Sequence, residues 1–299
     1  MSYQSRFKTP ADAEKYSAAY DATLALWPVP HESLDIETSY GLTHINIAGS
    51  PASPPLILIP GAQVSSTVWY PNIEPLSRHF RVYALDVIDQ TGRSVPARRL
   101  KTPQDCAEWL TEVLDCLNLE RATLVGHSQG CCLAMSLAAA APQRVERMVL
   151  LSPSAPFAQV RWQVLARMLP VFIRPTRGMF YRYFQWLTTM PIDANQPHPL
   201  IEQMIIGAMS YKPQELSFGI VTVFTDDVLR QITIPTLLVI GDHEVVVDPL
   251  RVLERARLMP NIKVQLIENS GHLLPVDQAE ADNARIMGFF IQAKIEEHA

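Results

Sequence analysis

Ser128, set in the pentapeptide Gly126-His127-Ser128-Gln129-Gly130, is the residue best placed in this chain to do chemistry. A serine hydroxyl is a poor nucleophile at neutral pH. It needs an imidazole to take its proton and a carboxylate to hold that imidazole in the productive tautomer. Both groups follow later in the sequence. His272 stands in Asn269-Ser270-Gly271-His272, after a late strand and before a helix, and Asp242-His243-Glu244 comes directly after a strand that ends at Gly241. Of the eight histidines, His272 has the position a general base requires. His243 is the weaker choice. His127 is expected to pack or to donate a local hydrogen bond, because adjacent side chains on so sharp a turn diverge. Three acids compete for the third role. Asp248 precedes Pro249 and reads as a helix cap. Asp242 follows Gly241, where it would serve the turn, and Glu244 lies deeper in the loop with a longer reach. Glu244 is therefore the expected acid and Asp242 the alternative.

A tetrahedral oxyanion needs two preorganised donors. The N–H of Gln129, at the start of a helix, is one natural supplier, and Ala62 is the expected second, with Gln63 next, from the loop after the apolar run Pro55–Pro60.

The elements around these residues must hold them together. Thr123-Leu-Val leads into the pentapeptide and an Ala-rich apolar segment, Cys131 to Ala141, leaves it. That order reads as strand, sharp turn and buried helix, with glycines on both sides of the serine so that strand and helix can pass closely. The competing reading is a glycine-rich packing turn without chemistry. Elsewhere, Pro55–Pro60, Arg81–Asp86, Val145–Leu151 and Pro235–Gly241 are short apolar runs bounded by prolines, glycines or polar loops, as strands buried on both faces should be. Thr102-Pro103-Gln104-Asp105 opens an amphipathic helix whose stripe is Cys106, Trp109, Leu110, Val113, Leu114 and Leu117. Leu34–Tyr40 and Leu42–Ala48 suggest a hairpin about Gly41, and residues 10–27 a helix packed on the core. Lys263–Ile267 makes a last strand, after which Asp277, with Glu280 three residues on, opens the final helix.

This alternation implies an α/β fold with a mostly parallel central sheet, helices on both faces and right-handed crossovers. In such a sheet the loops after the strands' carboxyl ends converge on one crevice, which makes distant residues neighbours. The pattern breaks between residues 153 and 232, where prolines interrupt helical segments and no buried strand is evident. That stretch holds 11 of the 24 aromatic residues and five of the ten methionines. It reads as an inserted helical layer, the cap, on a core of residues 1–152 and 233–299. Its apolar side chains suit either a pocket lining or ordinary packing.

The 299 residues are 48% apolar, ample for a large core, and the net charge of -5 includes no basic block able to track phosphates, so nucleic acid is not an expected partner. No signal-peptide pattern and no window of about 18 apolar residues suitable for a membrane span occurs, and a cytoplasmic protein is expected. The four cysteines, Cys106, Cys116, Cys131 and Cys132, fall in expected helices without zinc-site spacing and read as reduced core residues. No metal or cofactor is implied.

In combination, the elbow Gly126–Gly130, the chain order serine, acid, histidine, the Ile59-Pro60-Gly61-Ala62 loop, Gly241-Asp242-His243-Glu244 and Ser270-Gly271-His272 resemble the α/β-hydrolase superfamily, and within it the helical-cap serine hydrolases and carboxylesterases. The resemblance spans about residues 34–295. It implies Ser128 as nucleophile, His272 as base, and Ala62 and Gln129 as oxyanion amides. The family's usual acid, three residues after the strand-ending glycine, falls on Glu244. Two departures stand out: Pro60-Gly61 replaces a common His-Gly, and the acid is glutamate where aspartate is commoner. The expected activity is hydrolysis of a small apolar carboxylic ester through an acyl-serine. Thioesterase, lactonase and carbon–carbon bond hydrolase chemistry use the same groups. A rival of another class is a non-catalytic small-molecule binder on the same fold.

Overall fold

The apolar runs become the middle of one nine-stranded sheet in a computed structural model that describes residues 2–173, 175–216 and 222–297. In chain order the strands are β1 (His31–Thr38), β2 (Gly41–Ala48), β3 (Pro55–Ile59), β4 (Arg81–Leu85), β5 (Val95–Pro96), β6 (Ala122–His127), β7 (Val145–Leu151), β8 (Thr236–Gly241) and β9 (Ile262–Ile267). They lie in the order β1-β2-β4-β3-β6-β7-β8-β9, with β5 paired to β2. The hairpin of β1 and β2 is antiparallel and joins β4 antiparallel, while every neighbouring pair from β4 to β9 is parallel. Burial follows this placement. Leu56, Ile57, Leu58 and Ile59 of β3 are fully buried and all of β6 and β8 is buried, and each Leu, Ile and Val among them stabilises the fold by about 1.5–3 kcal/mol over leaving it in water. The edge strands β1 and β9 keep alternate or successive residues exposed, which suits a sheet margin.

The helices are α1 (Pro10–Leu24), α2 (Ile73–Ser77), α3 (Pro103–Cys116), α4 (Gln129–Ala140), α5 (Trp162–Ile173), α6 (Arg177–Leu187), α7 (Pro199–Ser210), α8 (Asp226–Gln231), α9 (Pro249–Ala256), α10 (Leu274–Asp277) and α11 (Ala279–Glu297). α3 starts as its sequence dictates. Thr102 and Asp105 form a reciprocal capping box with Pro103 in the first turn. Asp248 caps α9, accepting the Leu250 N–H at 3.0 Å. Between β7 and β8, α5 to α8 supply the inserted helices; residues 174 and 217–221 of that stretch lie outside the described residues.

Register explains why the site forms where it does. Ile59 of β3 pairs with Gly126 of β6, His127 with Leu151 of β7, Leu151 with Val239 of β8, and Gly241 with Ile267 of β9. The carboxyl ends of five adjacent parallel strands therefore stop in one row, and the loops bearing Ala62, Ser128, Ser154, Glu244 and His272 leave from that row.

Two expectations need correction. Asp277 does not open the final helix. It ends the short α10, and its carboxylate takes N–H and hydroxyl groups of Gly271, Thr188 and Thr189 instead. Cys116 is exposed, its thiol directed to the Glu37 carbonyl, whereas Cys106, Cys131 and Cys132 are buried free thiols. α1 packs on the core as expected, with Ala13, Tyr16, Tyr20 and Leu24 buried in it, and it also meets α7: Gln203 of α7 is buried and donates to Tyr16 of α1 at 3.4 Å and to Ser65 at 2.8 Å. Among the described residues no helix is long and apolar enough to cross a membrane.

Candidate active site

Ser128 sits between β6 and α4 with φ 53° and ψ -114°, a conformation that costs a non-glycine residue about 1–3 kcal/mol. Its surroundings fix it there. The Ser128 N–H donates to the Leu151 carbonyl at 2.9 Å, and its own carbonyl accepts the Cys131 N–H at 3.1 Å. A Cβ on Gly126 would stand 2.5 Å from the Gly130 carbonyl oxygen, and one on Gly130 would stand 2.1 Å from that of Ile59. Only glycines let β6, α4 and the end of β3 approach so closely.

The side chains complete a continuous chain of hydrogen bonds. His272 Nε2 lies 2.8 Å from Ser128 Oγ, and His272 Nδ1 lies 2.8 Å from Glu244 Oε2 and 3.0 Å from Oε1. A carboxylate can only accept, so Nδ1 carries the proton and the Nε2 lone pair faces the serine hydroxyl. Glu244 is buried, and burial works to raise its pKa. The adjacent His272 and its hydrogen bond, and the Val246 N–H at 2.6 Å, outweigh that effect and hold the carboxyl below its ordinary range. It is the ionised partner an imidazolium needs.

The other expected residues sort by place. Asp242 serves the turn, where its carboxylate accepts the Ser270 N–H at 3.2 Å, and His243 is exposed beside it. Neither reaches His272. His127 does make a hydrogen bond, though not a local one: Nε2 donates to the His272 carbonyl oxygen at 2.8 Å. Burial, and then the neighbouring His272, push the His127 pKa down to about 3, so it stays a neutral donor. The Gly61–Gln63 loop abuts the elbow, since a Cβ on Gly61 would be 3.1 Å from Ser128 Cβ. Within it the Gln63 N–H is already donated to Gln90 Oε1 at 2.9 Å, whereas among the described residues no acceptor engages the Ala62 N–H. Gln129 is the first residue of α4, where the backbone N–H has no intrahelical partner.

Two residues near the site escaped sequence reasoning. Ser154, after β7, places its hydroxyl 3.3 Å from Ser128 Oγ. Gln90, after β4, holds Gln63 at φ 59°. Both lie in loops at the carboxyl ends of sheet strands, the one signal that could have found them. Among the described residues no cluster of three or more His, Cys, Asp and Glu side chains could hold a metal ion.

The chain belongs to the α/β hydrolase family: the family model for the alpha/beta hydrolase fold matches residues 54–201, and full-length relatives agree. It is similar to the carboxylesterase YbfK of Bacillus subtilis, with 36% identity over 281 residues, covering 92% of this chain and 93% of the relative. An uncharacterized carboxylesterase, nap, of the same organism is 36% identical over 292 residues, covering 92% of each. Among solved structures, the naproxen esterase of Bacillus subtilis superposes with a TM-score of 0.85 at 35% identity, over 93% of this chain and 98% of that one.

Proposed function

We propose that the protein is a carboxylesterase that cleaves small apolar esters through an acyl-enzyme on Ser128. The observation that carries this reading is the unbroken line from Glu244 through His272 to Ser128 Oγ, with 2.8 Å at each step. His272 Nε2 takes the hydroxyl proton as Oγ attacks the ester carbonyl, and Glu244 stabilises the resulting imidazolium. The carbonyl oxygen, now an oxyanion, accepts the N–H groups of Ala62 and Gln129. As the tetrahedral adduct collapses, the imidazolium returns its proton to the departing alcohol. Water, deprotonated by the same imidazole, then releases the acid. Every proton is carried by a group of this chain. The named activities of the relatives at 36% identity support an ester as the substrate.

The inserted helices of residues 153–232 act in this reading as a cap over a core of residues 1–152 and 233–299.

The test is turnover of a p-nitrophenyl ester series from acetate to octanoate by wild type, Ser128→Ala and His272→Ala. Each variant is expected to stay folded and to lose at least about 10^4-fold in kcat. Full activity in either would remove the mechanism. Stoichiometric ester binding by wild type without turnover would favour a binding protein instead.

A further inference from the structure

The backbone of the loop that carries His272 is held by one buried carboxylate and one carbonyl, and both ties involve the far end of α6. The Gly271 N–H donates to Asp277 Oδ2 at 2.8 Å. The N–H groups of His272 and Leu273 donate to the Leu187 carbonyl oxygen at 2.7 and 3.3 Å. Leu187 is the last residue of α6, and the two residues after it also end on Asp277. The Thr188 hydroxyl donates to Oδ1 and the Thr189 N–H to Oδ2 at 3.1 Å. The Thr189 hydroxyl closes the arrangement on the Asn269 carbonyl at 2.7 Å.

Asp277, Thr188 and Gly271 are all buried, so leaving the Thr188 hydroxyl or the Gly271 N–H without an acceptor would cost its full desolvation. The packing is tight as well. A Cβ on Gly271 would stand 2.5 Å from the Leu187 carbonyl oxygen and 3.0 Å from Asp277 Oδ2. Three consecutive amides of the base loop thus have their positions set by the α6 exit and by Asp277, while His127 fixes the His272 carbonyl from the elbow side.

We propose that Asp277 is a positioning residue for the reaction: it locks the His272 loop to the exit of α6 and so sets where Nε2 stands relative to Ser128 Oγ. This rests on the reading of His272 as the base. It deepens that reading by making part of the inserted layer a structural partner of the base. The Oδ2 position must accept, because the Gly271 and Thr189 N–H groups can only donate, while Oδ1 takes the Thr188 hydroxyl, which can also accept. In Asp277→Asn, an almost isosteric change, one oxygen becomes an NH2 that must face a hydroxyl or an amide hydrogen.

The experiment compares wild type, Asp277→Asn and Ser128→Ala for the rate of fluorophosphonate labelling, read by intact mass, and for kcat and KM on p-nitrophenyl butyrate, below the melting temperature of each. Labelling of the serine reports its activation by His272 directly. The expected result for folded Asp277→Asn is a loss of about 10- to 100-fold in labelling rate and in kcat, with KM changed by less than about 3-fold, as a misplaced base should give. A purely structural role would lower the melting temperature and leave the labelling rate of the folded protein at the wild-type value; that outcome overturns the proposal. If Asp277→Asn does not fold, Thr188→Val, which removes one donor from the clamp, takes its place. A labelling rate reduced about 3-fold or more supports the clamp, and an unchanged rate overturns it. Wild type that does not label at all would instead count against Ser128 and His272 as the reacting pair.

Discussion

α4 and α5 are both twelve residues long and both rich in apolar side chains, yet they occupy opposite circumstances. Every residue of α4 from Gln129 to Ala138 is buried. α5 buries Val164 and Val171 but leaves Trp162, Leu165 and Leu169 at 70%, 69% and 58% exposure. These three recur at i, i+3 and i+7, so they form one stripe turned away from the core. The difference matches the task of each helix. α4 begins at Ser128, and a strained serine is kept in place only by surroundings that allow no other arrangement. α5 belongs to the inserted layer. It carries Pro170 in its interior, which removes a helix hydrogen bond, and few buried apolar contacts hold its outer half. Such a segment opens at lower free energy than the sheet and its buried helix. Packing is thus tightest around the elbow and loosest along the outer stripe of α5.

The sharpest way to break this comparison is at the elbow. Gly130→Ala would drive a methyl to 2.1 Å from the Ile59 carbonyl oxygen, and we expect more than about 4 kcal/mol of destabilisation, or no soluble folded protein. Normal urea unfolding of that variant would mean that the elbow is not tightly packed. Next come matched truncations. Leu133→Ala in the buried α4 should cost about 2–5 kcal/mol, whereas Leu165→Ala in the exposed stripe of α5 should stay within about 0.5 kcal/mol. Equal losses in urea titrations would show that the α5 stripe is covered in solution.

A pH-dependent effect concerns Asp282 on α11. Both its carboxylate oxygens are buried without a hydrogen-bond partner, and burial, opposed only by Arg285, pushes its pKa up to about 8. The unfolded carboxyl has a pKa near 3.9. Between those values the unfolded chain releases the proton and the folded one keeps it, so this residue's contribution to stability falls as pH rises from about 4 to about 8 and is constant above. Asp282→Asn should therefore raise the melting temperature by at least about 2 °C at pH 8 and match wild type near pH 4. A stabilisation that does not vary with pH would rule out ionisation as its cause.

Much of this was legible in the sequence because the informative residues are local. The pentapeptide Gly126–Gly130, the apolar runs of β3, β6, β7 and β8, and the capping residues Thr102 and Asp248 each announce their roles within a few positions. Glu244 could be preferred over Asp242 from loop position, and the geometry brings Glu244 to His272. What sequence could not supply are partnerships across the fold. Asp277 three residues before Glu280 looks like a helix cap, and nothing nearby in sequence indicates that its partners are Thr188 and Thr189. His127 reaches a carbonyl 145 residues away, and Gln203 meets Tyr16 only because α7 lies on α1. Whether Ala62 or Gln63 offers a free amide depends on where the Gln90 side chain ends. Such contacts are set by packing, which has no short-range signature.

Intact-mass labelling with a fluorophosphonate reads directly whether Ser128 is an activated nucleophile. A single adduct is expected on wild type, formed together with loss of ester turnover, and no adduct on folded Ser128→Ala. An adduct that persists in Ser128→Ala, or a folded wild type that hydrolyses esters while remaining unlabelled at Ser128, would contradict it.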